Sequence, residues 1–577
     1  MVLPTLLCLS CGQVYRPVVI PTSTTPPTPA NFHAVFGISA NVPYSPGGAM
    51  QIDVAGDSII AETPNSDLKF GYNPTHAAIL PDNARLFVAS AGSVAGGVDG
   101  VSSFTPAFQS TNATGFGAVT TVSLPSQSSG IAAISEESNN LVTVTMNAPL
   151  TNVSAGYWIV IAGVVIPACS PPPCTSLPQN AYDGGFTISS IDSTGTILTY
   201  VNPTPGLPAL SSGGTATFPP QPVFLNSTQN TAMYVANYNS NSVFAINTSL
   251  NAVTNSAPVG AHPVALAQTP NGNKLYVVNQ GDNTVSSLNT QDLSSNVVTG
   301  FSGTTPVWVV ARGDSQKVYV LTQGDGQLVT IDTATDTVTS SLPVGAGANF
   351  IFYDPHLNRL YVTNPNVAGP ANPLGSTVYV FSDTGGANDT PVSLKAISFN
   401  PLSTPCPGGC SPASVTALPD GSRFYVASYQ TDATCTTGCV ITPSLTVFDA
   451  NSLAPKITPA LTLLTSPPFA VNQSAVPTVA ACASPVFPAL YAPGATRFTR
   501  FRVFTTAAAD SSHVYVSMCD AGAIADIDTT GNSANNSGTG TPADTLITDL
   551  PAAFSNGAIQ SNGEPPNQNP IFMLTGQ

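Results

Sequence analysis

Charged side chains are scarce in this sequence. Lys and Arg number 13 and Asp and Glu number 29, so 7% of the 577 residues are charged, against about 25% in an ordinary soluble domain. A chain with net charge −16 and so few cations cannot neutralise a row of phosphates, which excludes nucleic acid as an expected partner. The sequence also has no apolar run of about 18 residues, so it predicts no transmembrane helix.

The familiar catalytic motifs are absent as well. The sequence contains no H-E-x-x-H, P-loop, G-x-S-x-G or dinucleotide-binding glycine motif. Its five histidines stand in or beside short strand-like segments or turns: His33, His76, His262, His356 and His513. We therefore expect no catalytic residue, no metal site and no cofactor.

The first residues resemble the end of a bacterial lipoprotein signal. Met1 to Gly12 reads MVLPTLLCLSCG, in which apolar residues lead to a small residue and then to Cys11. Cys8 stands where that family has Leu, and no basic segment precedes the apolar run. The resemblance implies a signal segment over 1–11 with lipid on Cys11; an unlipidated secretory remnant and a buried N-terminal strand are the alternatives.

Residues 12–30 are rich in Pro and Thr, a composition typical of an extended, semi-rigid tether. We expect an exported protein, held at the outer membrane or cell surface by its lipid alone, or otherwise periplasmic or secreted.

The remaining cysteines agree with export. Their even number predicts disulfides in an oxidising compartment. A four-thiolate zinc site built from Cys406, Cys410, Cys435 and Cys439 is the alternative, because their C-x3-C spacings suit zinc. The disulfide candidates are Cys169, Cys174, Cys406, Cys410, Cys435, Cys439, Cys482 and Cys519.

An aromatic residue followed by Val recurs along the chain. The aromatics are Phe87, Tyr234, Tyr276, Tyr319, Tyr361, Tyr425 and Tyr515. The second to the fifth of them are 42, 43 and 42 residues apart. Thirteen residues before the aromatic, four copies have proline: Pro74, Pro263, Pro306 and Pro412. Thirteen residues after it, four copies have Asn or Asp followed by Thr: Asn247, Asn289, Asp332 and Asp528. Short apolar segments with such turns predict four strands in about 42 residues, which is one propeller blade.

Leu360 to Asn364 contains the sequence YVTN, and LYVVN (275–279) and MYVAN (233–237) are near variants. The chain resembles the YVTN-repeat β-propellers over residues 31–128 and 219–577. The resemblance implies an all-β propeller of four-stranded blades. We expect eight blades, because residues 32–62 supply three strands and Asn569 to Leu574 has the x-Pro-apolar pattern of a first strand; seven is the alternative.

The longest gap between aromatics contains additional strand-like segments. Residues 129–218 include Leu141 to Thr145, Trp158 to Ile161 and Ile197 to Tyr200, which are apolar or alternating. They predict a small all-β domain, a barrel or sandwich, inserted in an early blade.

Basic residues recur two positions before the aromatic: Arg85, Lys274, Lys317, Arg359 and Arg423, with His513 in a sixth copy. A ring that binds anions is one interpretation. The plainer one is a turn in which the Asp three residues earlier makes a weak ion pair with the base.

Arg497, Arg500 and Arg502 form a second basic group, interleaved with Phe498 and Phe501. Arg502 aligns with the proline position, so we expect it at the mouth of the propeller channel, where a small anionic ligand would bind. A solvated strand end is the alternative.

These features predict a non-catalytic binding or scaffold propeller, whose partner is a surface glycan, a protein or a second copy. The alternative is a lactonase-like hydrolase, since propellers similar to this one include lactonases of the phosphogluconolactonase type. The low charge further predicts a protein suited to acidic surroundings, because a surface of hydroxyls and amides changes little when carboxylates protonate.

Overall fold

The structure is a computed structural model. It describes residues 34–40, 47–63, 70–92, 100–107, 116–167, 177–365, 375–383, 390–399, 411–431, 440–454, 456, 476–477, 482, 502–531, 543–551 and 569–576.

Eight four-stranded antiparallel sheets make up most of the described chain. We number them as blades I to VIII and name their strands a to d from the axis outwards. Blade I is β38 (Pro570–Thr575), β1 (Ala34–Ser39), β2 (Gly48–Asp53) and β3 (Ser58–Glu62). Blade II is β4 (Pro74–Ile79), β5 (Leu86–Ser90), β6 (Gly100–Phe104) and β7 (Thr120–Val122).

The next three blades follow the regular repeat. Blade III is β14 (Pro222–Asn226), β15 (Ala232–Asn237), β16 (Ser242–Asn247) and β17 (Ala252–Pro258). Blade IV is β18 (Pro263–Gln268), β19 (Lys274–Asn279), β20 (Thr284–Asn289) and β21 (Ser295–Val297). Blade V is β22 (Pro306–Ala311), β23 (Lys317–Thr322), β24 (Gln327–Asp332) and β25 (Thr337–Pro343).

The last three blades have longer connections. Blade VI is β26 (Phe350–Asp354), β27 (Arg359–Asn364), β28 (Thr377–Ser382) and β29 (Val392–Ser398). Blade VII is β30 (Ser411–Ala417), β31 (Arg423–Thr431), β32 (Val440–Asp449) and β33 (Val476–Pro477). Blade VIII is β34 (Val503–Ala507), β35 (His513–Met518), β36 (Ala523–Asp528) and β37 (Thr545–Pro551).

The eight strands a form a closed ring. Each contacts the strand a of the blade on either side, and β38 contacts both β34 and β4. The predicted all-β propeller is therefore confirmed with eight blades, and the first blade is closed by the C-terminal strand, which pairs with β1.

Among the described residues, no helix has the length and apolar character that a membrane span requires.

The recurring aromatic lies at the centre of strand b in blades II to VIII, and Phe36 occupies the same position in β1 of blade I; it is buried between blades. The tyrosines at 276, 319, 361, 425 and 515 are fully buried. β-Branched and aromatic residues fit this position because a strand buried on both faces needs large, stiff side chains. The repeat identified in the sequence is therefore the core of the fold.

The Asn or Asp with its following Thr ends strand c. Asp332 Oδ1 accepts the backbone N–H groups of Ala334 and Thr335, which is the self-closing turn predicted for this residue type. The next residue, Thr333, donates its hydroxyl to the carbonyl of Ser315 in the turn between strands a and b. This bond recurs at Thr248, Thr290 and Thr529, so the pair fastens the two turns of a blade together.

A six-stranded closed barrel lies between β7 of blade II and β14 of blade III. Its strands are β8 (Gln127–Glu136), β9 (Leu141–Met146), β10 (Trp158–Ala162), β11 (Gly184–Ile191), β12 (Ile197–Val201) and β13 (Thr215–Phe218). Ile131, Val144, Ile159, Leu198 and Tyr200 are among the residues of its separate apolar core. The barrel thus has its own core, outside the propeller ring.

Candidate functional site

The propeller has two distinct faces. The upper face is the end at which strands a begin and strands b end, and it carries the b–c and d–a connections. The lower face carries the a–b and c–d turns. The barrel interrupts a d–a connection, so it belongs to the upper face.

Six ring-bearing side chains meet on the propeller axis. Each of them occupies the same position in its strand a. At that position it pairs with the strand b residue that follows the recurring aromatic by two places. We call this set the axial aromatic cluster: His76, Phe224, Trp308, Phe350, Phe504 and Phe572. Blades IV and VII have the small residues Ala265 and Ser414 at the same position.

The rings of the axial aromatic cluster contact one another across the axis. His76 stacks on Phe224 at 3.7 Å between centroids, and Trp308 lies 5.1 Å from Phe350. Phe504 lies 4.6 Å from Phe572, and no ring in the cluster is more than 7% exposed. The axis is therefore filled with apolar side chains at this level, and His76 Nδ1 accepts the backbone N–H of Leu225.

The barrel is fixed to the upper face by polar and aromatic contacts. The backbone N–H of Trp158 donates to Asn239 Oδ1 at 2.8 Å, and Asn239 Nδ2 donates to the carbonyls of Trp158 and Pro219. Asn239 lies in the b–c turn of blade III and is 1% exposed. The edge of the Tyr157 ring contacts His262 at 4.8 Å. A Cβ at Gly185 would overlap the Trp158 indole, so glycine is needed there for the indole to lie against its strand.

Bonds between neighbouring blades dominate the lower face. Lys274 Nζ of blade IV donates to Asp336 Oδ2 of blade V at 2.8 Å, and Tyr276 donates its hydroxyl to the other oxygen. Arg423 and Tyr425 of blade VII bond to Asp544 of blade VIII in a similar way, except that both donate to the same oxygen, Oδ1. The basic side chain thus bridges to the next blade, and we call each such contact an inter-blade bridge.

The inter-blade bridge corrects the plainer interpretation of the basic residues. Asp420, three residues before Arg423, accepts the backbone N–H of Ser422, so it closes its turn as predicted. Arg423 does not pair with it, because the side chain at the start of strand b points at the adjacent blade. Its partner, Asp544, lies 121 residues along the chain and could not be inferred from local spacing.

The junction of blades V and VI has an ionic group in which Arg312, Lys317 and Asp383 are fully buried. Arg312 pairs with Asp383 at 2.9 Å and with Asp314 at 2.8 Å, and Lys317 Nζ lies 3.9 Å from Asp383. Burial would lower the pKa of Arg312, but the hydrogen bond to Asp314 and the charge of Asp383 outweigh it and raise that pKa. The guanidinium therefore stays charged inside the protein.

The junction of blades VIII and I differs from the other junctions. His513 Nε2 lies 3.0 Å from Asp57 Oδ1, and Asp526 of strand c brings a second carboxylate to the same place. The donor atoms of these three buried residues lie within 4.8 Å of one another. Ser512 Oγ lies 2.7 Å from His513 Nδ1. This arrangement is a candidate metal centre on the lower face.

Burial and charge shift the pKa values of this group. Burial alone would lower the pKa of His513, but its hydrogen bond to Asp57 and the charges of Asp526 and Asp57 raise it overall. Burial raises the pKa of Asp526 well above its usual range, while the His513 imidazole and, more weakly, the Tyr515 hydroxyl oppose that rise. The charge of the His513 imidazole therefore offsets only part of the cost of burying the Asp526 carboxylate.

Arg502 immediately precedes β34 on the upper face, the position predicted for it. It is only 4% exposed, so it is not a solvated strand end. Its guanidinium pairs with Asp520 Oδ2 at 2.9 Å and lies 5.3 Å from the centre of the Tyr429 ring. Arg497 and Arg500 lie outside the described residues, so the predicted anion site stays a prediction.

One disulfide lies within the described residues. Cys482 bonds to Cys519, in the turn after β35, across 37 residues of sequence. Asn569, immediately before β38, donates to the carbonyl of Cys519 at 3.2 Å. Six of the predicted cysteines lie outside the described residues: Cys169, Cys174, Cys406, Cys410, Cys435 and Cys439. The lipidation candidate Cys11 and the tether lie outside them too.

Sequence reasoning overlooked both the axial aromatic cluster and the group around Asp526. A signal existed for the first, because an aromatic or His follows two residues after the proline in Pro74, Pro222, Pro306 and Pro570. For the group around Asp526, the signal is Asp526 itself, which follows Tyr515 by eleven residues where two other copies of the repeat have Ser287 and Thr330.

Comparison with known proteins shows similarity in fold alone. No protein family model and no curated protein matches the sequence. A putative 6-phosphogluconolactonase from Bacteroides uniformis covers 74% of this chain and 95% of its own, with TM-score 0.37 and 10% identity. One from Bacteroides fragilis covers 75% and 96%, with TM-score 0.38 and 11% identity.

Hydrazine synthase of Kuenenia stuttgartiensis covers 57% of this chain and 87% of its own, with TM-score 0.39 and 16% identity.

Proposed function

We propose that this chain is an exported, lipid-anchored cell-surface propeller that acts as a non-catalytic binding or scaffold protein. The axial aromatic cluster is the observation that supports this most directly. Six buried rings fill the axis where a propeller channel would otherwise admit a substrate. Recognition is then assigned to the upper face, where the barrel is fixed beside the b–c and d–a connections.

The use of charge supports the same proposal. Lys274, Lys317, Arg359 and Arg423 contact the next blade through a carboxylate or a carbonyl. Side chains committed to these contacts between blades are not available to a substrate. A glycan, a protein surface or a second copy of the chain fits a face of neutral polar side chains better than a strongly charged ligand does.

The alternative is a lactonase-like hydrolase, which is compatible with the propeller fold. Hydrolysis of glucono-1,5-lactone and 6-phosphogluconolactone by the purified chain, with and without added Zn²⁺, Ca²⁺ or Mg²⁺, separates the two proposals. We expect the rate to equal that of buffer in every case. Turnover that rises in proportion to protein concentration would replace the scaffold proposal by the hydrolase.

Lipid anchoring makes a separate prediction. Cys11→Ser removes the sulfur that would carry the lipid, so the protein should move from the membrane fraction to the soluble fraction. Cys8→Ser is the matched control and should leave the protein on membranes. Membrane retention of the Cys11→Ser protein, measured by fractionation and immunoblotting, would show that the anchor is something else.

The predicted anion site has its own test, with inorganic phosphate as the probe. If Arg497, Arg500 and Arg502 bind a small anion, Arg502→Ala should weaken phosphate binding at least tenfold by calorimetry. Arg85→Ala, which removes a base from the lower face, is the control. Equal affinities in wild type and Arg502→Ala would exclude this site.

A further inference from the structure

The junction between the last and first blades departs from the repeat at two positions. At the four preceding junctions the residue two places before the aromatic is a permanent cation, and the strand c residue opposite the aromatic is uncharged. Those cations are Lys274, Lys317, Arg359 and Arg423, and the residues opposite the aromatic are Ser287, Thr330, Val380 and Val447. At this junction the two positions are His513 and Asp526.

The two changes face each other in space. Asp57 is the acid in the c–d turn of blade I, and its Oδ1 lies 3.0 Å from His513 Nε2. The carboxylate of Asp526 approaches both, since one donor atom from each of the three residues lies within 4.8 Å of the others. All three residues are buried.

Asp526 lacks the partners that a buried carboxylate needs. It has no exposed surface, and neither of its oxygens receives a hydrogen bond of good geometry. A buried, unpaired carboxylate is strongly unfavourable unless a proton or a cation neutralises it. At every one of the four preceding junctions a Lys or Arg faces at most one carboxylate of the next blade, whereas here two carboxylates face one imidazole.

We propose that Asp57, His513 and Asp526 bind one divalent cation of the zinc class, which joins blade VIII to blade I. One imidazole nitrogen and two carboxylate oxygens are donors that Zn²⁺ accepts, at distances of about 2.0–2.2 Å. Donor atoms around tetrahedral zinc then lie about 3.3 Å apart, close to the 3.0 Å between His513 Nε2 and Asp57 Oδ1. Ca²⁺ takes six to eight oxygen ligands instead.

The surroundings fit a structural metal site. Ser512 Oγ lies 2.7 Å from the other ring nitrogen of His513 and orients the imidazole, as outer partners of metal-bound histidines do. All three residues are buried and come from two blades, so an ion bound to them would join those blades; its fourth tetrahedral position is left for a water molecule. The site also lies at the lower end of β35, whereas at the upper end Asn569 of blade I donates to the carbonyl of Cys519.

The test uses the full chain, treated with chelator and dialysed. Titration with ZnCl₂ by calorimetry should give one bound equivalent, and zinc should raise the melting temperature. Asp526→Asn should lower the zinc affinity by more than the roughly 10- to 100-fold lost with an outer partner. Asp336→Asn, which breaks the bridge between blades IV and V, should lower the melting temperature but leave zinc affinity unchanged.

A second variant separates ligand loss from misfolding. His513→Lys combined with Asp526→Ser recreates at this junction the pair found in blade IV, Lys274 and Ser287. We expect it to melt cooperatively at or above the metal-free wild-type temperature and to show no response to zinc.

Three results would overturn the proposal. The first is that micromolar wild-type protein binds no zinc at about 100-fold excess of the ion. The second is that Asp526→Asn leaves the zinc affinity unchanged. The third is that the double variant still responds to zinc. Displacement of the ion by Ca²⁺ at a similar concentration would overturn its assignment to the zinc class.

Discussion

At the scale of single residues, the base two places before the recurring aromatic makes different contacts in different blades. The base two places before the aromatic pairs with an acid in the next blade's c–d turn at Lys274 and Arg423, and with a backbone carbonyl at Arg359. The acids in these turns, Asp57, Asp336 and Asp544, all have positive φ, a conformation that Asp and Asn tolerate better than most residues. The turn geometry therefore selects a residue type that can also accept the bridge.

Among the acids of the inter-blade bridges, Asp383 is the one whose removal should lower the free energy of unfolding most. Asp383→Ala leaves Arg312 and Lys317 buried without their shared partner, so we expect the free energy of unfolding to fall by about 3–5 kcal/mol. Urea denaturation followed by circular dichroism measures it. Asp314→Ala is the control, because Arg312 keeps Asp383 and the Asp314 side chain is 37% exposed; equal losses in the two variants would contradict this account.

At the scale of elements, strand a carries the property that distinguishes this propeller. Its register places the axial aromatic cluster on the axis, and Ala265 and Ser414 leave room for the larger rings. Aromatic pairs at 4.5–7 Å contribute about 0.5–1.5 kcal/mol beyond their buried area. The strands a are therefore joined to one another by side chains, in addition to the hydrogen bonds within each blade.

Phe350→Ala tests the axial aromatic cluster. A cavity beside Trp308, whose ring lies 5.1 Å away, should lower the free energy of unfolding by about 3–5 kcal/mol. The tryptophan emission should also move to longer wavelength, because Trp308 loses an apolar neighbour. Val297→Ala on the exposed outer strand of blade IV should change stability by less than about 0.5 kcal/mol. Similar effects of the two substitutions would argue against a packed axis.

At the scale of the whole molecule, the ring has to be closed between its ends. Blade I combines strands from both ends of the described chain, β38 and β1–β3. At the junction of blades VIII and I, Asn569 donates to the carbonyl of Cys519 at one end, and Asp57, His513 and Asp526 meet at the other. Closure in this way leaves no long unpaired edge in the propeller.

Stability should survive mild acid. Burial raises the pKa of Asp354, so its stabilising contribution is complete below the usual value of 3.8 and is lost as pH rises through the raised pKa. The N–H of Ser452 lowers the pKa of Asp449. For Asp314, burial would raise the pKa, but the hydrogen bond from Arg312 and other contacts lower it overall. The contributions of Asp314 and Asp449 are present above 3.8 and disappear only as pH falls through their lowered values.

Burial lowers the pKa of His262, so its contribution opposes that of Asp354 and is lost as pH falls below 6.5. We therefore expect the melting temperature at constant ionic strength to change little from pH 7 to about pH 4 and to fall below that, where Asp carboxylates protonate. Calorimetric scans at half-unit steps measure it. A collapse between pH 7 and pH 4 would refute both this expectation and the proposed suitability for acidic surroundings.

The sequence by itself determined the repeat. Tyr276, Tyr319 and Tyr361 mark strands b because a strand buried on both faces requires such residues at a fixed position in every blade. The Asx turns at Asp332 and Asp528 follow from bonds within three residues. Even the pairing of β38 with β1 was predictable, since Asn569-Pro570 repeats the pattern of His262-Pro263.

The contacts that join the blades to one another and to the barrel follow from the tertiary structure alone. Arg423 meets Asp544 across 121 residues, and Trp158 meets Asn239 across 81. Local spacing holds no information on these two contacts, because they arise when the closed ring and the inserted barrel bring distant turns and strands together. Four members of the axial aromatic cluster can be recognised in the sequence two residues after the proline, but only closure of the ring brings residues from 76 to 572 together around the axis.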